Sequence, residues 1–187
     1  MADPVFNAAP FNPVPDHVRR AASVRLLILD VDGVLTDGSL TYGADGEVTK
    51  TFNVLDGLGI ELLQKTGVQV AIISARKSPV VVRRAADLKI AHVYQGTHDK
   101  RIAFAEVLAL TGLSAPECAY IGDDVIDLPL LRKVGFAVTV PSGHPEVQHR
   151  AHYVTGANGG RGAVREVCDL IMRAQNTYDT ALAPYFA

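Results

Sequence analysis

Arg25-Leu26-Leu27-Ile28-Leu29-Asp30-Val31-Asp32-Gly33-Val34-Leu35-Thr36-Asp37 runs four apolar residues straight into two carboxylates spaced i, i+2, with glycine next. The apolar run predicts a strand buried on both faces, as a parallel sheet requires. Gly33 ends it, so Asp30 and Asp32 stand at the strand's carboxyl end, where open α/β sheets hold their ligands. Two acids at one strand tip repel unless a cation or a proton separates them. A divalent metal is the simplest resolution, and clustered oxygen ligands suit Mg²⁺. An acidic turn or a calcium loop is the plainer alternative. A calcium loop wants glycine at its sixth position and an acid at its twelfth. Counted from Asp30, those places hold Leu35 and Thr41.

Outward from this stretch the pattern alternates strand and helix. Ser39-Leu40-Thr41-Tyr42 and Glu47-Val48-Thr49-Lys50-Thr51-Phe52 flank Gly43-Ala44-Asp45-Gly46, which predicts a β-hairpin. Helices are expected over 60–65, 80–88, 100–110, 128–134 and 161–176, and further strands over 68–73, 91–94, 118–121 and 136–140. Strands separated by helices predict a doubly wound parallel α/β sheet with right-handed crossovers. The expected organisation is a loosely ordered, proline-bearing arm over 1–23, one domain over 24–178 and a tail over 179–187.

Composition fits a compact globular protein. The 187 residues are 48% hydrophobic and 20% charged, enough for a full core. A net charge of −2 gives no general pull toward nucleic acid or membrane. Cys118 and Cys168, both in apolar contexts, are expected as buried thiols in a reducing compartment. Met1 to Arg20 holds four prolines and no continuous apolar run, unlike a signal peptide or a membrane span, so a cytoplasmic location is expected.

Three further landmarks follow. Ala71-Ile72-Ile73-Ser74 ends a strand in a hydroxyl that could donate to a phosphate oxygen, although a helix cap would look the same. Lys100 heads a helix, where a lone lysine is ordinarily a solvated charge. Tyr120-Ile121-Gly122-Asp123-Asp124-Val125-Ile126-Asp127 is another apolar strand running into glycine and three acids, which would also serve a helix dipole.

Taken in order, these four landmarks resemble the motifs of the haloacid dehalogenase superfamily of phosphotransferases. The resemblance implies Asp30 as nucleophile, forming an aspartyl phosphate, and Asp32 as general acid and then base. It implies Mg²⁺ on the Asp30 carboxylate, the Asp32 backbone carbonyl and Asp123, with Lys100 and Ser74 stabilising the transferring phosphoryl group. Asp124 and Asp127 are expected to orient metal-bound waters or Lys100. Of the two places where this superfamily inserts a cap domain, 32–74 holds only the hairpin and a short helix, and 74–100 is too short. Uncapped relatives close the site with a neighbouring subunit, and the hairpin is the expected contact element.

Phe52-Asn53-Val54-Leu55-Asp56-Gly57-Leu58-Gly59-Ile60 and Gly159-Gly160-Arg161-Gly162-Ala163-Val164-Arg165-Glu166-Val167-Cys168 resemble the 3-deoxy-D-manno-octulosonate 8-phosphate (Kdo 8-phosphate) phosphatases. These are Mg²⁺-dependent homotetramers in the pathway that supplies Kdo to lipopolysaccharide. The resemblance implies a substrate site of Asp32, Asn53, Val54, Leu55, Asp56, Gly57, Arg76, Arg84, Lys100 and Arg161. It also implies a glycine-rich segment that folds over the site. One departure is Glu61, where many members carry a basic residue; a carboxylate there cannot pair with an anionic sugar acid. Nine-carbon sugar-acid phosphates are therefore the nearest rival substrates. A phosphotransferase would need a cap to exclude water, and a binding protein would not need all five of Asp30, Asp32, Ser74, Lys100 and Asp123.

Overall fold

All four side chains of β1 (Leu26–Leu29) are buried, as its unbroken apolar run requires. The structure is a computed structural model and describes residues 14–44 and 46–186. After β1 come the hairpin strands β2 (Thr41–Gly43) and β3 (Gly46–Thr49), then β4 (Gln69–Ser74), β5 (His92–Gln95), β6 (Cys118–Ile121), β7 (Phe136–Thr139) and β8 (Tyr153–Val154). The helices are α1 (Asp16–Ala22), α2 (Val54–Lys65), α3 (Pro79–Asp87), α4 (Lys100–Thr111), α5 (Leu128–Leu131), α6 (Pro145–Gln148), α7 (Ala163–Ala174) and α8 (Tyr178–Leu182).

Six strands form a parallel sheet in the order β5-β4-β1-β6-β7-β8, and β2 and β3 pair separately as an antiparallel hairpin. Successive side chains point to opposite faces of the sheet. Leu27, Leu29, Val70, Ile72, Ala119 and Ile121 pack on one face with residues of α2, α3 and α7. Leu26, Ile28, Ala71, Ile73, Cys118 and Tyr120 pack on the other with α4 and α5. This is the doubly wound α/β architecture that the alternating pattern predicts. No helix among the described residues is long and apolar enough to cross a membrane.

Register sets the site. Leu29 pairs with Ile72 on one side and Ile121 on the other. The residues just beyond these three central strands therefore emerge together at one edge, where the chain winds away in both directions from β1.

Several elements differ from expectation. Helix α2 begins at Val54, because the Asn53 side chain caps it by accepting the Leu55 N–H at 2.8 Å. Gly57 and Gly59, which make the start read as non-helical, sit inside it for packing reasons. A Cβ at Gly57 would lie 2.3 Å from Arg84 Nη2, and one at Gly59 would lie 2.8 Å from Arg165 Cδ. The α5 segment is one turn of α-helix after a 3-10 turn over Val125–Asp127. Helix α1 falls in the stretch read as a loosely ordered arm, buries Ala21 and packs on α7; residues 1–13 of that arm lie outside the described residues. Helix α8 likewise begins before, and runs into, the expected tail. Cys118 and Cys168 are buried free thiols in opposite core layers, and burial pushes the Cys118 thiol up to about 12.

Candidate active site

Asp30 follows β1, its N–H donating to the Ile121 carbonyl at 3.0 Å, which fixes its backbone against β6. Its Oδ1 lies 2.8 Å from Lys100 Nζ, at the first turn of α4. Lys100 is almost wholly buried and also meets Asp127 Oδ1 at 2.6 Å. Burial alone would lower the lysine's pKa; Asp30 and Asp127 outweigh it and hold the ammonium above its ordinary value. Asp127 is saturated: Oδ1 also accepts the Tyr120 hydroxyl at 2.6 Å, and Oδ2 accepts the Asp123 and Asp124 N–H groups at 3.0 and 3.2 Å.

Asp123 reaches the same point from β6. A Cβ on Gly33 would lie 2.1 Å from Asp123 Oδ2, so the bare glycine, at φ +93°, lets this carboxylate close on the first loop. Burial, reinforced by Asp127, pushes Asp30 up to about 7. Burial, with Asp30 and Asp127 close by, pushes Asp123 to about 7 as well. Carboxylate oxygens of Asp30, Asp123 and Asp127 lie within 4.8 Å of one another. Because Asp127 has spent its oxygens on four protein donors, Asp30 and Asp123 are the pair left for a cation. Two crowded, proton-seeking carboxylates with all-oxygen chemistry fit Mg²⁺.

A cleft of about 290 Å³ opens over this cluster, lined by Asp30, Asp32, Gly38, Ser74, Ala75, Arg76, Lys100, Asp123, Asp124 and Ile126. Ser74 is buried at the end of β4, and its Oγ accepts the Arg76 N–H at 3.3 Å. Asp124 is exposed and caps the following turn, accepting the Val125 N–H at 2.7 Å. A larger cleft of about 520 Å³, lined by Arg101, Val125, Leu128, Pro129, Arg132 and Lys133, holds no carboxylate or hydroxyl for acid–base or nucleophilic chemistry.

Of the residues expected to face the substrate, the cleft gathers Asp32, Arg76 and Lys100; the others lie outside its lining. Asn53 caps α2 and its amide donates to the Gly160 carbonyl at 3.3 Å. Val54 and Leu55 point to solvent from the first turn of α2. Asp56 is buried and turned the other way, its Oδ1 accepting the Arg165 N–H at 2.8 Å at the start of α7. Gly57 makes room for Arg84, whose guanidinium donates to the Asn53 carbonyl at 3.3 Å and lies over the Phe52 ring. Arg161 is exposed, 3.6 Å from Asp37. The glycine-rich segment docks on the loop after Asp30 and Asp32 rather than over the cleft: Gly160 N–H donates to the Val34 carbonyl at 2.9 Å, and a Cβ on Gly159 would strike the Gly33 carbonyl. Glu61 belongs to a separate surface cleft with Gln64, Lys65, Leu88 and Lys89, not to the cleft over Asp30 and Asp123.

One cation in the site carries no local sequence signal. Lys50, just after β3, is ion-paired with Asp32. A lysine closing a hairpin reads as a solvated charge, and only the fold brings it to the acid.

The family model for haloacid dehalogenase-like hydrolases matches residues 85–167. The 3-deoxy-D-manno-octulosonate 8-phosphate phosphatase KdsC of Yersinia pestis is 47% identical over 97% of this chain and 97% of its own. The Escherichia coli K12 enzyme of the same name is 49% identical over 89% of this chain and 88% of its own. This chain belongs to the KdsC family of haloacid dehalogenase-like hydrolases. A crystal structure of the Moraxella catarrhalis KdsC phosphatase, in complex with magnesium, phosphate and Kdo, superposes with a TM-score of 0.89 at 42% identity, covering 92% of this chain and 99% of that one. The Yersinia pestis KdsC crystal structure gives 0.86 at 49% identity, covering 88% and 89%. KdsC membership thus spans nearly the whole chain, including the first-motif strand that the family model's match leaves out.

Proposed function

We propose that this chain is a Mg²⁺-dependent phosphatase that hydrolyses Kdo 8-phosphate to Kdo and phosphate. The observation that carries this reading is the convergence of Asp30, Asp32, Ser74, Lys100 and Asp123 on one cleft, in a chain almost half identical to KdsC enzymes.

In this reading Asp30 attacks phosphorus, forming an acyl phosphate as the bond to the sugar oxygen breaks. Asp32 delivers its proton to that departing oxygen. Asp32 then takes a proton from a water that attacks phosphorus, and the bond to Asp30 breaks to free phosphate. General acid–base help of this kind is worth about 10²–10⁴ in rate. Lys100 and Ser74 neutralise and orient the phosphoryl oxygens. Asp127 and Tyr120 fix Lys100. Asp30, Asp123 and the Asp32 carbonyl are the residues to hold Mg²⁺. When bound, it would screen the meeting of carboxylate and phosphate. Arg76, at the cleft wall, suits the carboxylate of a sugar acid.

We assign the phosphatase domain to 24–178, and propose a cytoplasmic homotetramer serving lipopolysaccharide precursor synthesis. The test is phosphate release from Kdo 8-phosphate against a panel of sugar phosphates, nine-carbon sugar acids included, with Mg²⁺ and with chelator. Strong preference for Kdo 8-phosphate, abolished by chelator and by Asp30→Asn, is expected. Metal-dependent activity on another sugar acid would move the substrate and keep the mechanism. Absence of phosphate release from the folded protein would overturn the reading.

A further inference from the structure

Two buried lysines divide the two leading carboxylates between them. Lys100 holds the nucleophile, Asp30, from the sheet side. Lys50 pairs with Asp32 Oδ1 from the hairpin, and its side chain is 1% exposed. The other oxygen of Asp32 lies 3.8 Å from Arg76 Nε, and Arg76 Nη2 in turn donates to the Tyr42 hydroxyl at 2.8 Å. Tyr42 lies in β2 and Lys50 just after β3, so the same hairpin braces both oxygens of Asp32, one directly and one through Arg76.

Lysine is rarely buried this deeply without a charged partner, because an ammonium taken out of water loses its hydration. Asp32 lines the cleft and Lys50 does not, so the ammonium reaches the cleft through Asp32. We propose that Lys50 is a positioning residue for the acid–base step, fixing the Asp32 carboxylate toward the leaving oxygen, and that the hairpin thereby completes the site within its own chain. This rests on the phosphatase reading above. The hairpin is then more than a contact element: without it, Asp32 swings free of the line between leaving group and phosphorus.

The experiment compares the full-length wild type, Lys50→Met, Lys50→Arg, Asp32→Asn and the Lys50→Met/Asp32→Asn double variant, all with saturating Mg²⁺. Circular dichroism and thermal melting establish that each is folded, and Lys50→Gln replaces Lys50→Met if the methionine variant is not. On Kdo 8-phosphate, Lys50→Met is expected to lower kcat by about 10–100-fold, the cost of a misplaced catalytic group, with KM moved by less than about threefold. Lys50→Arg should recover most of the rate. In the Asp32→Asn background the lysine substitution should cost less than about threefold, since the two act as one unit. With p-nitrophenyl phosphate, whose leaving group departs without a proton, Lys50→Met should keep a stoichiometric burst of nitrophenolate before slow turnover.

A raised KM at unchanged kcat would make Lys50 a substrate ligand and overturn the proposal. So would a full, additive loss in the Asp32→Asn background, or no loss at all in the single variant. If the wild type ignores Kdo 8-phosphate but the same coupling appears with p-nitrophenyl phosphate, the substrate assignment falls and the role of Lys50 stands.

Discussion

At Gly33 two demands meet: a left-handed backbone, φ +93°, and a carboxylate pressed against its Cα. Gly33→Ala would strain the backbone by about 1–3 kcal/mol and push Asp123 away from Asp30. The Mg²⁺ concentration for half-maximal phosphatase activity should rise about 10–100-fold, as when groups orienting metal ligands are lost, and a Mg²⁺ titration of activity reads it directly. Asp127 makes a second residue-scale case. Its oxygens serve Lys100, Tyr120 and two backbone N–H groups, all inside the protein. Asp127→Ala should therefore destabilise the fold by about 3–5 kcal/mol, the scale for breaking a buried ion pair, measurable by urea denaturation. An unchanged midpoint would mean that Asp30 alone suffices to hold Lys100. At this scale the sequence displayed the acids plainly, because each follows an apolar strand at a glycine. It hid Lys50, whose partner lies across the hairpin, and it gave no sign of the burial of Asp56, which follows from α2 packing on α7.

Elements were legible where their own residues dictate them and obscure where a neighbour does. Strand β1 and the start of α4 are written locally, in an apolar run and in the Asp99 side chain that caps Lys100–Thr111. The first turns of α2 are not: Gly57 and Gly59 lower helix propensity, and the arginines that need their space come from α3 and α7. The two-residue β8 shows no period of its own and is held by β7 through backbone bonds and one imidazole. His152 Nδ1 accepts the Ala137 N–H at 2.9 Å, which requires an unprotonated nitrogen there. Burial lowers the His152 pKa, and the nearby Arg20 adds to this while Asp16 opposes it. The folded chain thus binds fewer protons than the unfolded chain, so this group's contribution to stability rises with pH. It is lost below the lowered folded value and regained by the unfolded value of about 6.5. His152→Asn keeps an acceptor without the titration. Thermal melts from pH 5 to pH 8 should show the wild type losing stability relative to the variant on the acid side. Parallel profiles would assign the acid sensitivity elsewhere.

At the scale of the whole molecule, the active-site edge also carries a group of exposed apolar side chains. Leu40 and Tyr42 on the hairpin, with Val54 and Leu55 on the first turn of α2, are large side chains left in solvent at 39%, 61%, 78% and 54%. An uncapped site surrounded by such residues is poorly shielded from water by a single chain. The proposed homotetramer would cover this surface while each hairpin keeps Lys50 on its own Asp32, so one element serves both contact between subunits and acid positioning. Sedimentation equilibrium should then give about four times the 20.0 kDa chain mass. Val54→Glu with Leu55→Glu would place charges on a face meant to be buried, and should shift the mass toward the single chain. Phosphatase activity should fall in step with dissociation, with Mg²⁺ dependence unchanged, because Asp30 and Asp123 lie within one chain. A double variant that remains tetrameric would put the interface on another surface. A wild type that sediments at the single-chain mass would remove the tetramer, and the hairpin's work would then be confined to Asp32.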